Sequence, residues 1–591
     1  TFPVGQLTTA TPLFYIDSPF HWYQMEAAKA FAAAGRVVGY DPYFAAGYWG
    51  GVNINASAKF PALLSILLSP RLSSVVVYKL YVFAAAVLAP ACIPFAARWL
   101  RLSVRAGLAA TIFGVLVWWL SAMRWYHTVG MASFVFTSYL ALPLAALTIR
   151  YLTEPTTRLV PLAIVIVGVL GMFIHPLFPL LVAFIVVALM AAQWQYIDRK
   201  KLPIVLVAFP LLCVLPNLMW IMPTLHSRAL GIFAGEPYQK AVDISIIWQE
   251  ALGQFTKHAR GAHLNTVLWF GALWACAAPL ESAAKRVAIA LTAAAAALIL
   301  FAALGAALPF VATLQPNRFS GPAYLLLSIP AGLGLTATIN LFSSRGLWRL
   351  AAMGSSIVFV AAFGFLTWEL ERELSYADIP HHGVRPPEVG GIGADSVWIL
   401  SWLKTHTTSD SRVLFESSGG RIHDNAHMAG YYALTADREF IGGPYPYMQF
   451  AGFWDGFLFG KPIDTISREE FADYLRLYNI GSIIVFSDVS KRYLDGQPGF
   501  TRGEAFGPLQ TYQVDGPRSF FLAGSGTVVA RTFNRLEFAQ LSGPEIILKY
   551  HYVPGLETDP PADIGPVSVP GDPTPFIRIL NPPPHLVLNV R

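Results

Sequence analysis

Residues 74–97 read SVVVYKLYVFAAAVLAPACIPFAA, an apolar run whose one charge, Lys79, lies near its start. A hydrocarbon core about 30 Å thick takes roughly 20 apolar residues of helix, so this stretch predicts a membrane span. Working outward from it, nine more such runs follow, at 106–122, 131–149, 159–174, 176–194, 203–222, 264–280, 287–305, 321–342 and 350–368. The runs at 159–174 and 176–194 read as a tight hairpin broken at His175-Pro176.

Charge orients the ten spans. One alternating set of loops holds Arg98, Arg101, Arg105, Arg150, Arg158, Arg199, Lys200, Lys201, Lys285, Arg286, Arg345 and Arg349 against only Glu154, Asp198 and Glu281. Basic loops stay cytoplasmic. The opposite set, residues 1–73, 223–263, 306–320 and everything after 368, therefore faces outward. A chain that starts outside with Thr1 predicts an N-terminal signal-anchor helix ahead of it, and eleven spans in the full protein.

Composition agrees. Of 591 residues 55% are hydrophobic and 13% charged, where a soluble protein carries roughly a quarter charged. A soluble enzyme and a disordered chain are both excluded. Cys92, Cys213 and Cys276 all lie in apolar runs, so no disulfide framework is implied. The net charge of +6 divides into +14 over residues 1–368 (23 Lys+Arg, 9 Asp+Glu) and −8 over 369–591 (18 and 26). A basic total thus reports basic loops beside an acidic outward part, and gives no sign of a nucleic-acid partner. The expected organisation is a first extracytoplasmic loop (1–73), a bundle of ten helices (74–368), an extracytoplasmic α/β domain (369–545) and a Pro-rich β region (546–591) that continues beyond the last residue. The setting is the plasma (inner) membrane.

Two outward loops are long. The first runs Tyr15-Ile16-Asp17-Ser18-Pro19-Phe20-His21-Trp22-Tyr23, then a helix over 24–34, then Asp41-Pro42-Tyr43 and Gly47-Tyr48-Trp49-Gly50-Gly51. Ser18 as N-cap with Pro19 after it is a good helix start, which leaves Asp17 for another task. Residues 57–72 predict a short interfacial helix. In the second, Val242, Ile244, Ile247, Trp248, Ala251, Leu252 and Phe255 form one face of an in-plane amphipathic helix. Gln315-Pro316-Asn317-Arg318-Phe319 precedes an outward-starting span. A guanidinium there suits a phosphate, and equally suits a plain interfacial arginine.

Asp17-Ser18-Pro19-Phe20-His21, its helix, Gly47-Tyr48-Trp49-Gly50 and Gln315-Pro316-Asn317-Arg318-Phe319 together resemble the GT-C superfamily of multi-spanning glycosyltransferases. The nearest branch is the bacterial membrane proteins labelled "6-pyruvoyl-tetrahydropterin synthase-related". The resemblance implies a transferase that moves a sugar from a polyprenyl-phosphate-linked donor to an acceptor on the outer face, with Asp17 in the position of the catalytic base. The metal-dependent branch carries an acidic pair in its second outward loop. Here that loop, 123–130, holds Arg124 and His127 and no carboxylate, so no metal is expected.

The chemistry needs a base, positive charge on the leaving phosphate and a groove for the lipid. Asp17, ionised at neutral pH, is the candidate base; a helix cap is its other reading. Asp41 is a second candidate, although Asp-Pro also starts turns. His21, one turn after Asp17, would orient it or bind acceptor, or is simply interfacial. Arg318, with Asn317 and with Arg124 or Arg228, would bind the phosphate. Tyr48 and Trp49 would stack on sugar, or belong to an aromatic belt. No zinc spacing, P-loop or dinucleotide fingerprint is present. Partners are thus a lipid-linked donor, the bilayer and an acceptor or protein of unspecified kind. The alternative is a non-catalytic scaffold or accessory subunit of the same fold. A transporter would want ionisable residues mid-membrane, and the runs hold almost none.

After Thr367 the sequence predicts helices at 396–406 and 467–479, the second opened by a capping box at Ser467-Arg468-Glu469-Glu470. Strands are expected at 412–416, 482–486, 510–514 and 526–533, ahead of ten prolines between Pro554 and Pro584.

Overall fold

A computed structural model describes residues 4–14, 16–51, 59–68, 71–229, 241–247, 262–312, 314–342, 346–373, 392–417, 427–442 and 452–590. The chain opens with α1 (Ser18–Ala33), the hairpin β1 (Val38–Asp41) and β2 (Tyr48–Gly51), and the short helix α2 (Lys59–Leu68). Then come α3 (Ser74–Trp99), α4 (Val104–Leu120), α5 (Ala122–Thr128), α6 (Ala132–Thr153), α7 (Leu159–Ile174), α8 (Phe178–Ala192) and α9 (Phe209–Ala229). The helical part closes with α10 (Ala262–Ala277), α11 (Ser282–Leu304), α12 (Ser320–Leu341) and α13 (Leu347–Glu373).

Each of the ten expected spans is a helix. Six, Ser74–Trp99, Ala132–Thr153, Arg199–Leu225, Ser282–Ala307, Pro316–Leu341 and Leu347–Gly364, are long and apolar enough to cross a membrane. The other four coincide with shorter apolar helices, Val104–Leu120, Leu159–Ile174, Phe178–Ala192 and Leu264–Ala277. This is a polytopic helical membrane protein with a C-terminal β-rich region. The hairpin breaks where expected: His175 is extended (φ −152°, ψ 129°), and its ring Nδ1 accepts from Leu177 N at 3.3 Å. The short helix expected at 57–72 is helical over Lys59–Leu68. Of the in-plane helix in the second long loop, only 241–247 are among the described residues.

Two compact units form. One holds residues 80–218 and 236–378, most of the helical bundle. Its middle is α12, whose small residues admit other backbones: a Cβ on Gly332 would lie 2.5 Å from Ala110 N, and one on Gly334 would lie 2.2 Å from Gly271 O. Close backbone approach through small residues is how helices associate where lipid removes the hydrophobic incentive.

The other unit joins residues 2–79 and 219–235 with 379–591. Its C-terminal part contains α14 (Ala394–His406), β3 (Arg412–Phe415), α15 (Ala429–Ala436), β4 (Phe440–Ile441) and three two-residue strands, β5 (Phe453–Trp454), β6 (Phe457–Leu458) and β7 (Lys461–Pro462). It continues with α16 (Arg468–Tyr478), β8 (Ile480–Val485), α17 (Asp488–Asp495), β9 (Phe500–Phe506) and β10 (Leu509–Val514). One mixed sheet runs β4-β3-β8-β10-β9, parallel at β4-β3-β8 and antiparallel beyond. A second, antiparallel sheet contains β11 (Phe521–Thr532), β12 (Arg535–His551), β13 (Leu556–Asp559), β14 (Asp563–Val567), β15 (Phe576–Leu580) and β16 (His585–Val590). The boundary expected at 545/546 falls inside β12, because the β region begins with the β11–β12 hairpin.

The first loop is not a separate layer. Tyr40 N donates to Asn534 Oδ1 (3.1 Å) and Asn534 N to Tyr40 O (2.7 Å). Phe440 N donates to Tyr43 O and Ala45 N to Phe440 O, at 2.7 and 3.2 Å. Phe44 and Tyr48 share a core with Trp402, Phe415 and Phe440.

A buried ionic cluster ties the two sheets. Glu439 accepts from Arg412 Nε at 2.6 Å and from Tyr550 Oη at 2.5 Å. Arg531 Nε lies 3.3 Å from the same carboxylate, while its Nη atoms donate to the carbonyls of Ser409 and Asp437. The Arg412 guanidinium lies against the stacked rings of Phe520 and Tyr550, 4.9 and 4.6 Å from their centres.

Candidate active site

Asp17 occupies the N-cap position of α1, yet its side chain makes no capping bond. Its Oδ1 lies 2.9 Å from His427 Nδ1, with the side chains 18% and 9% exposed. The same Nδ1 is 3.2 Å from Ile16 O. Both neighbours are acceptors, so Nδ1 carries the hydrogen and the imidazole holds the carboxylate. Ile16 has φ +49°, a region a β-branched residue enters only when its surroundings impose it.

His427 is positioned by packing. It precedes α15, which meets α1 at Gly430, where a Cβ would fall 2.7 Å from the Tyr23 ring. Tyr431 receives Phe14 and Trp22 edge-on at 4.8 and 5.5 Å, and the Phe20 ring lies 6.4 Å from His427. His21 falls one turn on from Asp17, with His21 N donating to Asp17 O at 3.0 Å. It is fully buried with its ring 5.8 Å from Tyr78, so the interfacial position expected for it gives way to the interior.

Asp41, the second candidate carboxylate, is wholly enclosed. It accepts from Tyr23 Oη (2.7 Å), Tyr48 Oη (2.8 Å) and Tyr43 N (3.0 Å). Burial pushes its carboxyl up to about 6 against the lowering effect of those three donors. Tyr48 is 1% exposed. In this structure the pair braces the loop, and neither side chain is open to a sugar. Trp49 beside them is partly buried.

Arg318 and Arg124 lie in the helical unit. Pro316–Phe319 form one 3-10 turn, entered through Gln315 at φ +53°. Phe319 anchors it between Phe301 and Phe134, at ring distances of 5.0 and 6.4 Å. Arg318 and Asn317 are partly buried, and Asn317 Oδ1 makes no hydrogen bond among the described residues. Arg124, on α5, sits over Trp119 at 5.1 Å. Its neighbour Met123 packs on this segment, since a Cβ on Gly321 would lie 3.2 Å from Met123 Cε. The segments bearing Arg124 and Arg318 thus converge. The side chain of Arg228 lies outside the described residues, as do Tyr15, Glu236 and Glu250. Among the described residues no three His, Cys, Asp or Glu side chains converge as a metal centre would require.

No protein-family profile and no curated protein sequence matches this chain. Solved structures do. The apo oligosaccharyltransferase of Archaeoglobus fulgidus aligns with TM-score 0.52 at 13% identity, over 82% of this chain and 67% of that one. The structure of that archaeal enzyme, AglB, with an inhibitory peptide and a dolichol-phosphate gives 0.51 over the same shares at 13% identity. This chain has a GT-C fold. A mycobacterial arabinofuranosyltransferase, AftD, matches at TM-score 0.51 and 14% identity over 88% of this chain, which spans 41% of that longer protein. At such identities the likeness is one of fold.

His427 is the residue that the sequence did not point to. It lies 410 positions from Asp17 in a segment, His423 to Met428, with no periodicity. The local cue nearest it is Gly430 ahead of Tyr431-Tyr432, a small residue where an aromatic from elsewhere can enter.

Proposed function

We propose that this protein is an integral membrane glycosyltransferase that moves a sugar from a polyprenyl-phosphate-linked donor to an acceptor on the extracytoplasmic face of the plasma membrane. We place it nearest the bacterial branch named above. The observation that carries the reading is Asp17 on a GT-C fold: a carboxylate diverted from capping its own helix and held by an imidazole.

In the proposed step an acceptor hydroxyl oxygen attacks the anomeric carbon as the bond from that carbon to the phosphate oxygen breaks. Asp17 takes the hydroxyl proton. The bonding pair leaves on the phosphate, and Arg318, Asn317 and Arg124 are the proposed groups to stabilise its charge. His427 is a positioning residue that fixes the carboxylate. Asp41 and Tyr48 support the loop. No divalent metal enters this scheme.

The test is transfer from polyprenyl-phosphate sugars by the full-length protein in liposomes. Asp17→Asn is expected to lower kcat by about 10²–10⁴-fold, and undiminished transfer would remove Asp17 as base. Absence of transfer by the unaltered protein with every donor, together with stable co-purification of another protein, would favour a non-catalytic scaffold.

A further inference from the structure

A second basic site lies in the C-terminal domain, formed within residues 468–549. A cavity of about 700 Å³ opens between α16, the start of β9, the end of β10 and the loop leading to β11. Of its four basic groups, Arg468, Arg476, Arg518 and Lys549, the last two are fixed by hydrogen bonds. Arg518 donates to Ser411 Oγ at 2.8 Å and to Val514 O at 3.1 Å. The guanidinium occupies space that only glycine leaves, since a Cβ on Gly481 would stand 1.8 Å from Arg518 Nη1. Two bonds use part of its five-donor fork.

Lys549 enters from β12 and is 8% exposed, with Nζ donating to Arg476 O at 2.5 Å. A backbone carbonyl satisfies one N–H, and among the described residues no carboxylate forms an ion pair with this ammonium. Burial, and then the like charges of Arg412 and Arg476, hold the ammonium down at about 8. Three carboxylates also line the cavity, Glu469, Asp473 and Asp515. All three are exposed, and Asp473 is already paired with Arg476. The interior is therefore cationic and the rim mixed. Phe500, its ring 5.8 Å from buried Phe471, supplies an apolar wall.

We propose that this cavity binds an acidic saccharide, with the carboxylate or phosphate of the sugar on Arg518 and Lys549 and the ring against Phe500. The saccharide half of the assignment rests on the glycosyltransferase reading; the anion half rests on this geometry alone. A planar guanidinium and a buried ammonium recover in an anion the compensation they lack, and a volume of this size takes one or two sugar rings.

The experiment is calorimetric titration of the full detergent-solubilised chain with glucose 6-phosphate, glucuronate, glucose and inorganic phosphate. Glucose 6-phosphate and glucuronate should bind at least tenfold more tightly than glucose. Arg518→Gln should weaken both at least tenfold, with folding checked by near-UV circular dichroism. Lys549→Gln provides the same reading if Arg518→Gln does not fold. Asp17→Asn should lower transfer by the factor given above and leave this binding unchanged, so that failure of one reading is separable from failure of the other. Glucose binding as tightly as its phosphate, or Arg518→Gln and Lys549→Gln both without effect, would overturn the site. Inorganic phosphate matching glucose 6-phosphate while glucuronate fails to bind would overturn the saccharide.

Discussion

Replacing Glu439 by Gln tests how the two sheets of the C-terminal domain are joined. The carboxylate is 1% exposed, and it faces Arg412 at 0% and Arg531 at 7% exposure. Glutamine keeps the volume and one acceptor oxygen. It removes the negative charge in direct contact with both guanidiniums, and it sets an amide N–H₂ against either Arg412 Nε–H at 2.6 Å or Tyr550 Oη–H at 2.5 Å. Breaking a buried ion pair from one side costs about 3–5 kcal/mol, a large share of the roughly 5–15 kcal/mol that stabilises a domain. Tryptophan fluorescence during urea unfolding in detergent would measure it, with surface Glu504→Gln as a control expected to change little. A loss below about 1 kcal/mol would refute the reasoning, because the cluster would then be incidental to packing.

Further outcomes follow from the candidate site. Gly430→Ala, which drives a Cβ to 2.7 Å from the Tyr23 ring, should cost about 1–3 kcal/mol of stability by overpacking. It should also lower transfer by shifting His427 from Asp17, and an unaltered melting curve with full transfer would contradict the packing described. His427→Gln should depress kcat while leaving the donor KM within about twofold, a split expected of a positioning residue and read from initial rates. Asp41, raised from 3.8 to about 6 by burial, binds its proton more tightly folded than unfolded. Its contribution is therefore full at low pH and is lost as pH rises through about 6, by roughly 3 kcal/mol. Asp41→Asn should gain on the unaltered protein by that amount between pH 4 and 7 in paired denaturant titrations, and parallel curves would count against it.

The membrane part was legible because its physics is local. Twenty apolar residues make a span wherever they occur, and His175-Pro176 breaks a helix on its own account. Local signals in the last domain also carried through: Ser467 Oγ caps Glu470 N at 3.1 Å. The Glu470 side chain, however, turns to Lys461 and Tyr474 and does not close a capping box. What stayed hidden depends on distant partners. Asp41 reads as a turn residue until Tyr23 and Tyr48 are seen on it, and those tyrosines read as a belt until Asp41 is seen between them. Likewise, nothing near Asp17 announces His427, and nothing near Tyr40 announces Asn534.

That separation bears on biosynthesis. At about 5–20 residues per second, the ribosome reaches His427 on the order of half a minute after Asp17. All ten spans are translated in that interval. A nascent or truncated chain thus holds the carboxylate without the imidazole that aligns it, and β1 without the strands that receive it. Completion of the polypeptide is in this sense the event that assembles the Asp17–His427 pair, and a fragment ending before α15 would be a membrane protein with its helices formed and that pair unmade.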